Sequence, residues 1–157
     1  MDLEILNSLF PDAITQTSLD RGQAVAMVKS ARIHEVLRAC KQDPRLQFDL
    51  LLDVVGVDFL GQRPRFEVVY ILYSVPLNHR LRLKVRVEEG EPLPTASDLW
   101  ASADWAEREV WDMYGVKFEG HPNLKRILLF EGFEGHPLRK DYPTERRQKI
   151  PVIEEIP

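Results

Sequence analysis

A chain of 157 residues, 44% apolar and 29% charged, has the size and composition of one globular domain with a real core. Its net charge of −4 provides no basic field for nucleic acid. A lone cysteine, Cys40, excludes a disulfide framework, a CxxC pair or a cysteine-ligated zinc or iron–sulfur centre within the chain.

In chain order, Leu3, Leu6 and Phe10 share one side of a short helix that Pro11 ends. Ala13 to Asp20 reads as a first strand, Arg21-Gly22 as its turn, and Gln23 to Lys29 as the returning strand. Ser30 is placed to cap a helix over 31–42, whose stripe of Ile33, Val36, Leu37 and Cys40 has helical spacing. Cys40 is then a buried core thiol, and Asp43-Pro44 stops the helix.

Phe48 to Phe59 reads as a strand with a bend or bulge at Gly56. Its three aspartates, Asp49, Asp53 and Asp58, interrupt the longest apolar run, so no membrane span is expected there. With no histidine or D-x-D core beside them, they are expected to be solvated at loops or strand ends. Phe66 to Tyr73 is apolar on both faces, which predicts a central strand covered on both sides. After a turn at 75–78, Leu81, Leu83, Val85 and Val87 alternate with Arg80, Arg82, Lys84 and Arg86. That period of two predicts one core face and one solvated basic face; no aromatic stacking pair supports an RNA platform. Residues 89–95 read as a loop.

Ser97 is placed to cap a helix over 98–114, with Gly115 as its stop. Projection at about 100° per residue gathers Leu99, Ala103, Ala106, Val110, Met113 and Tyr114 into a core face, with Glu107 on its flank. Glu107 is therefore expected to be buried and hydrogen-bonded. Arg108 and Asp112 fall on the far side as a surface pair worth about 0.3–0.5 kcal/mol. On this phase, Glu107→Ala harms the protein more than Asp112→Ala. Trp105 projects outward as a candidate interface anchor.

Beyond the helix the phrase Phe-Glu-Gly-His-Pro occurs twice, at 118–122 and 133–137. Each places a histidine, His121 or His136, between a glycine that permits a turn and a proline that enforces an extended residue. Together with Glu107 these could ligate a metal as a stand-alone hydrolase would. The chain nevertheless lacks H-E-x-x-H, P-C-x-x-C and a Ser or Cys elbow, and the histidines read better as hydrogen-bonding posts. Residues 117–149 carry 8 Lys/Arg against 5 Asp/Glu, whereas residues 1–116 carry 13 against 18. Prolines at 137, 143, 151 and 157 leave little room for a helix. The expected organisation is an α+β, two-layer body over 1–116, with a mixed, largely antiparallel sheet packed by helices. Residues 117–157 then form two His-Pro corners and an extended arm, mobile until its apolar residues find a partner's groove.

The spacing of Glu107-Arg108-Glu109, Asp112-Met113-Tyr114, His121 and Lys125-Arg126-Ile127-Leu128, followed by Gly135-His136-Pro137-Leu138-Arg139-Lys140-Asp141-Tyr142-Pro143, resembles one family. It is the 30 kDa subunit (the C subunit) of proton-translocating NADH:quinone oxidoreductase, respiratory complex I. The resemblance implies a structural subunit of the peripheral arm with no cofactor of its own; iron–sulfur clusters, FMN and quinone belong to partner subunits. It also implies a place beside the forty-nine-kilodalton quinone-site subunit, on the cytoplasmic face of the inner (plasma) membrane and held there only through partners. The equivalent subunit of a membrane-bound hydrogenase, or of an F420- or ferredoxin-linked dehydrogenase, shares much of this phrase. Residues expected to serve the interface or brace it are Trp105, Glu107, Arg108, Asp112, His121, Arg126, His136, Arg139, Lys140, Asp141 and Tyr142.

Overall fold

The computed structural model describes residues 2–150. The first helix, α1 (Asp2–Leu9), leads into a hairpin of β1 (Ile14–Asp20) and β2 (Gln23–Val28), then α2 (Ile33–Gln42). Three nine-residue strands follow, β3 (Leu50–Asp58), β4 (Phe66–Ser74) and β5 (His79–Val87). The short strand β6 (Leu93–Pro94), the helix α3 (Ala101–Tyr114) and the short strand β7 (Phe118–Glu119) complete the order.

The main sheet runs β1-β2-β5-β4-β3. Only β2 and β5 pair in parallel, so the sheet is mixed and largely antiparallel, as the alternation predicts. Its inner face, Ala26, Val28, Val54, Phe66, Val68, Tyr70, Leu72, Leu81, Leu83, Val85 and Val87, packs against Leu6, the α2 stripe, and Trp100, Ala103 and Val110 in one core. Cys40 lies fully inside that core, where burial pushes its thiol well above the ordinary range and keeps it unreactive.

Both predicted helix caps are displaced. A 3-10 turn at Ser30–Arg32 precedes α2, and Ser30 makes no capping bond. Helix α3 begins at Ala101, because the Ala96 carbonyl closes a separate turn on the N–H groups of Leu99 and Trp100. Residues 89–95 are also more ordered than a loop. Leu93-Pro94 pairs in parallel with Phe118-Glu119, tying the chain before α3 to the chain after it.

Strand β4 is interior, between β5 and β3, but no second layer covers its outer face among the described residues. The long side chains of β5 do so instead: Lys84 lies 3.2 Å from Glu67, and the Arg80 guanidinium sits over the Tyr73 ring. The basic row of β5 is thus occupied locally, with Arg82 paired to Asp20.

The irregularity in β3 falls between Leu51 and Asp53, and Gly56 is regularly paired. Gly56 serves a different purpose: a Cβ there would stand 2.5 Å from the Tyr114 ring. The glycine lets the end of α3 lie directly on β3. Gly56→Ala is therefore expected to cost about 1–3 kcal/mol, as overpacking does, read as a lowered urea midpoint at unchanged slope.

Candidate functional site: a helix that clamps two loops

Helix α3 carries two fully buried carboxylates, Glu107 and Asp112. Glu107 faces the loop that precedes its own helix. Its Oε2 accepts from the Thr95 hydroxyl at 2.5 Å and its Oε1 from the Ala96 N–H at 2.6 Å. Burial raises its pKa to about 7, with Asp98 and Asp104 adding in the same direction and the two hydrogen bonds opposing. The expectation of a buried, hydrogen-bonded Glu107 holds.

The expectation for Asp112 does not. It is buried, and Arg108 is not its partner. Oδ2 of Asp112 accepts three successive backbone N–H groups, from Ile127 at 3.1 Å and from Leu128 and Leu129 at 3.0 Å each. Such a run of N–H groups forms a concavity that suits an anion. Oδ1 accepts from Arg126 Nη1 at 2.5 Å. Burial alone would raise this carboxyl, but the backbone N–H groups and the Arg126 guanidinium outweigh it and hold Asp112 below the usual range. The helical projection is correct in angle; what it lacks is the loop at 125–139, which folds over the far side of α3 and buries that side too. Arg108 braces the same loop by donating to the carbonyls of Lys125 at 3.0 Å and Arg126 at 2.9 Å.

Arg126 extends the clamp, donating to the carbonyls of Phe133 and Gly135 while its guanidinium lies over the rings of Trp111 and Phe133. Both histidines act as posts on α3. His121 Nε2 donates to the Asp104 carbonyl at 3.0 Å, and its Nδ1 accepts from the Asn123 N–H. His136 Nδ1 donates to the Asp112 carbonyl at 2.9 Å. Burial lowers the His136 pKa, with the cations Arg139 and Arg126 adding to the effect, so the ring is neutral. The posts stand eight residues apart on the helix, about 12 Å along its axis, so His121, His136 and Glu107 do not converge on one ion. Among the described residues no group of three or more such side chains is placed to hold a metal.

The chain then returns to the body. Gly115, with φ of 78°, ends α3 in the left-handed conformation. A Cβ at this position would meet Arg139 and His136 at 2.6 Å. Arg139 donates to the Tyr114 carbonyl and pairs with Glu89. The Lys140 N–H donates to Asp58 at 2.8 Å, and Asp141 pairs with Arg65 at 2.8 Å. Asp58 is not solvated at a strand end, as the sequence suggests; it is buried and receives both Nε and Nη2 of Arg65 at 2.9 Å. Those bonds hold its carboxyl below the ordinary range. Tyr142 stacks on Phe133, and its hydroxyl accepts from Gln148.

Expected to reach away from the body, the arm lies on it as far as Tyr142, because Asp58, Arg65 and Glu89 supply partners that no sequence pattern announces. The one available signal is the parity of Asp58, which points to the opposite face of β3 from Asp53. Trp105 is 67% exposed, as predicted, and the strap adds Leu128 at 61% and Leu138 at 53%. The expectation that the arm's apolar residues seek a partner's groove also covers Val152, Ile153 and Ile156, which lie outside the described residues.

The family described as respiratory-chain NADH dehydrogenase, 30 Kd subunit, matches residues 26–148. The C 2 subunit of NADH-quinone oxidoreductase from Rhizobium etli (strain CIAT 652) is 46% identical over 134 residues, spanning 85% of this chain and 72% of that protein. The C subunit of the same enzyme from Roseiflexus sp. (strain RS-1) is 48% identical over 142 residues, spanning 90% and 82%. Among solved structures, the trypsin-resistant fragment (1-134) of Nqo5 superimposes with a TM-score of 0.69 at 34% identity, over 79% of this chain and 100% of the fragment. A chain of the membrane-bound sulfane sulfur reductase, an archaeal respiratory membrane complex, gives a TM-score of 0.77 at 26% identity, over 92% and 85%. This chain belongs to the 30 kDa subunit family of respiratory-chain NADH dehydrogenase.

Proposed function

We propose that this chain is a cofactor-free structural subunit of the peripheral arm of complex I, docked beside the large quinone-site subunit. Family membership carries the assignment to the complex. The observation that carries the structural role is how the acids, bases and histidines of residues 105–142 are used. Glu107, Arg108, Asp112, His121, Arg126, His136, Arg139 and Asp141 all bind their own chain, most of them its backbone. A catalytic constellation needs groups that converge on a free volume; here they converge on loops. The outward-facing side chains of this stretch include three large apolar ones, Trp105, Leu128 and Leu138. Iron–sulfur clusters, FMN and quinone then reside in partner subunits.

Among the described residues no helix is long and apolar enough to cross a membrane. On this reading, attachment to the cytoplasmic face of the membrane runs through partners. The likeness to the sulfane sulfur reductase chain supports a second reading, in which the same fold serves a related respiratory complex with another electron donor. Neighbouring reading frames separate the two: electron-input subunits of the NADH type support the first, and a sulfur reductase or hydrogenase set replaces it with the second.

The docking reading is tested with the double variant Trp105→Ala/Leu128→Ser. Both side chains are exposed, so stability should change by no more than about 0.5 kcal/mol each. Recovery of the quinone-site subunit on the tagged chain should fall at least fivefold. Undiminished recovery with an unchanged melting curve would remove these residues from the interface.

A further inference from the structure

Strand β3 is an edge of the sheet, paired only with β4 among the described residues. Its first half is protected. The bulge between Leu51 and Asp53 interrupts the edge, and Ser102 of α3 donates to the Leu51 carbonyl at 2.9 Å. Beyond the bulge the one such device among the described residues is the Asp53 carboxylate, whose Oδ1 accepts the Val54 N–H at 2.8 Å; no side chain bonds the backbone of residues 55–57, although edge strands usually carry more protection. Residues 53–56 instead line a groove of about 200 Å³ between β3 and the last turns of α3, walled by Val54, Val55, Met113 and Leu138.

Two features of this groove point to an occupant. Exposed apolar side chains line it, Val55 on β3 itself and Leu138 on the strap opposite. Its polar lining is acidic: Asp53 and Glu109 are both exposed, and neither has a cation partner among the described residues. An apolar floor with an unpaired acidic rim is complementary to an extended segment that alternates aliphatic and basic residues. The open stretch of strand, at about 3.3 Å per residue, accommodates roughly five residues of such a segment.

We propose that the free edge of β3, over residues 53–57, takes an extended apolar-and-basic segment of another protein by strand addition. Main-chain hydrogen bonds to β3 supply affinity, and Asp53 and Glu109 select the basic residues. A second copy of this chain is disfavoured as occupant, because pairing two β3 edges brings like carboxylates together. Glu109 lies one helical turn from Trp105 on α3, so this edge adjoins the outward face that carries Trp105 and extends the contact surface on to β3.

The test uses the full chain and a fluorescein-labelled heptapeptide alternating valine and arginine, with a valine–glutamate heptapeptide as control. Anisotropy should show at least tenfold tighter binding of the arginine peptide, weakening as salt is raised. Hydrogen exchange should slow at the amides of residues 53–57. Asp53→Lys/Glu109→Lys should reverse the preference between the peptides. If the double variant folds poorly, Glu109→Lys alone, on the exposed helix surface, should still reduce that preference. Equal affinity for both peptides, no binding, protection on another strand, or a dimer through β3 by light scattering and exchange would each overturn the proposal. Because the probe is a peptide, such a failure leaves recovery of the quinone-site subunit through Trp105 untouched.

Discussion

Asp112→Ala is expected to lower the melting temperature by about 10 °C, the largest effect of any single substitution on α3. Removing one partner of a buried ion pair costs about 3–5 kcal/mol, and for a chain of this size each kcal/mol moves the midpoint by about 2–4 °C. The loss has several parts. Arg126 is left without its carboxylate, and the N–H groups of Ile127, Leu128 and Leu129 lose their acceptor together. Residues 125–139 should then detach, while the core of the sheet, which shares none of these bonds, remains. Hydrogen exchange checks this directly: protection should vanish at 127–129 and persist on β4 and β5. Asp112→Asn should be milder, since one oxygen still serves the N–H groups. Uniform weakening of all strands would contradict a local clamp.

Glu107→Gln is expected to abolish a fall in stability that the native chain shows between about pH 4.5 and 7. Glu107 titrates near 7 when folded against an ordinary value of 4.5. Between those values the folded chain holds a proton that the unfolded chain has released, so stability drops as pH rises. The contribution is complete below 4.5 and lost as pH passes through 7; it amounts to roughly 3 kcal/mol. Glutamine preserves the geometry without the charge. Its oxygen can accept from Ala96, its amide can donate to Thr95, and the Thr95 hydroxyl can turn to Ser97, already 2.9 Å away.

His136 has the opposite slope, because its lowered pKa makes the folded chain lose stability as pH falls below about 6.5. The difference between native and variant curves isolates Glu107. Thermal melts from pH 4.5 to 8 should show Glu107→Gln gaining on the native chain as pH rises. Parallel curves would mean that Glu107 does not titrate in this range. Glu107→Ala, by contrast, leaves a cavity and two unpartnered polar groups, and should destabilise at every pH.

Much of the body is legible in the sequence because its alternation is strong. The row Leu81, Leu83, Val85 and Val87 can only be a half-buried strand, and Ile33, Val36, Leu37 and Cys40 can only be the stripe of a helix. Asp112 escapes that reading for a definite reason. Helical projection assigns burial relative to one core, and α3 is buried from two sides, by the sheet and by the loop that follows it. No periodicity announces the second cover, since residues 125–141 carry no regular secondary structure and are held by polar contacts to Asp112, Asp58 and Arg65. The same blind spot makes a strap look like a free arm. The His-Pro corners are legible because glycine and proline restrict the backbone locally, whatever lies around them.

Whether residues 105–143 serve assembly or chemistry is tested most directly by the amount of complex I in membranes carrying the Trp105→Ala/Leu128→Ser chain, alongside NADH:quinone activity per assembled complex. The structural account predicts that assembled complex falls at least fivefold while activity per complex stays within about twofold of the native value. A normal quantity of complex with activity per complex reduced by tenfold or more would contradict it, and would return this segment to the chemistry of the enzyme.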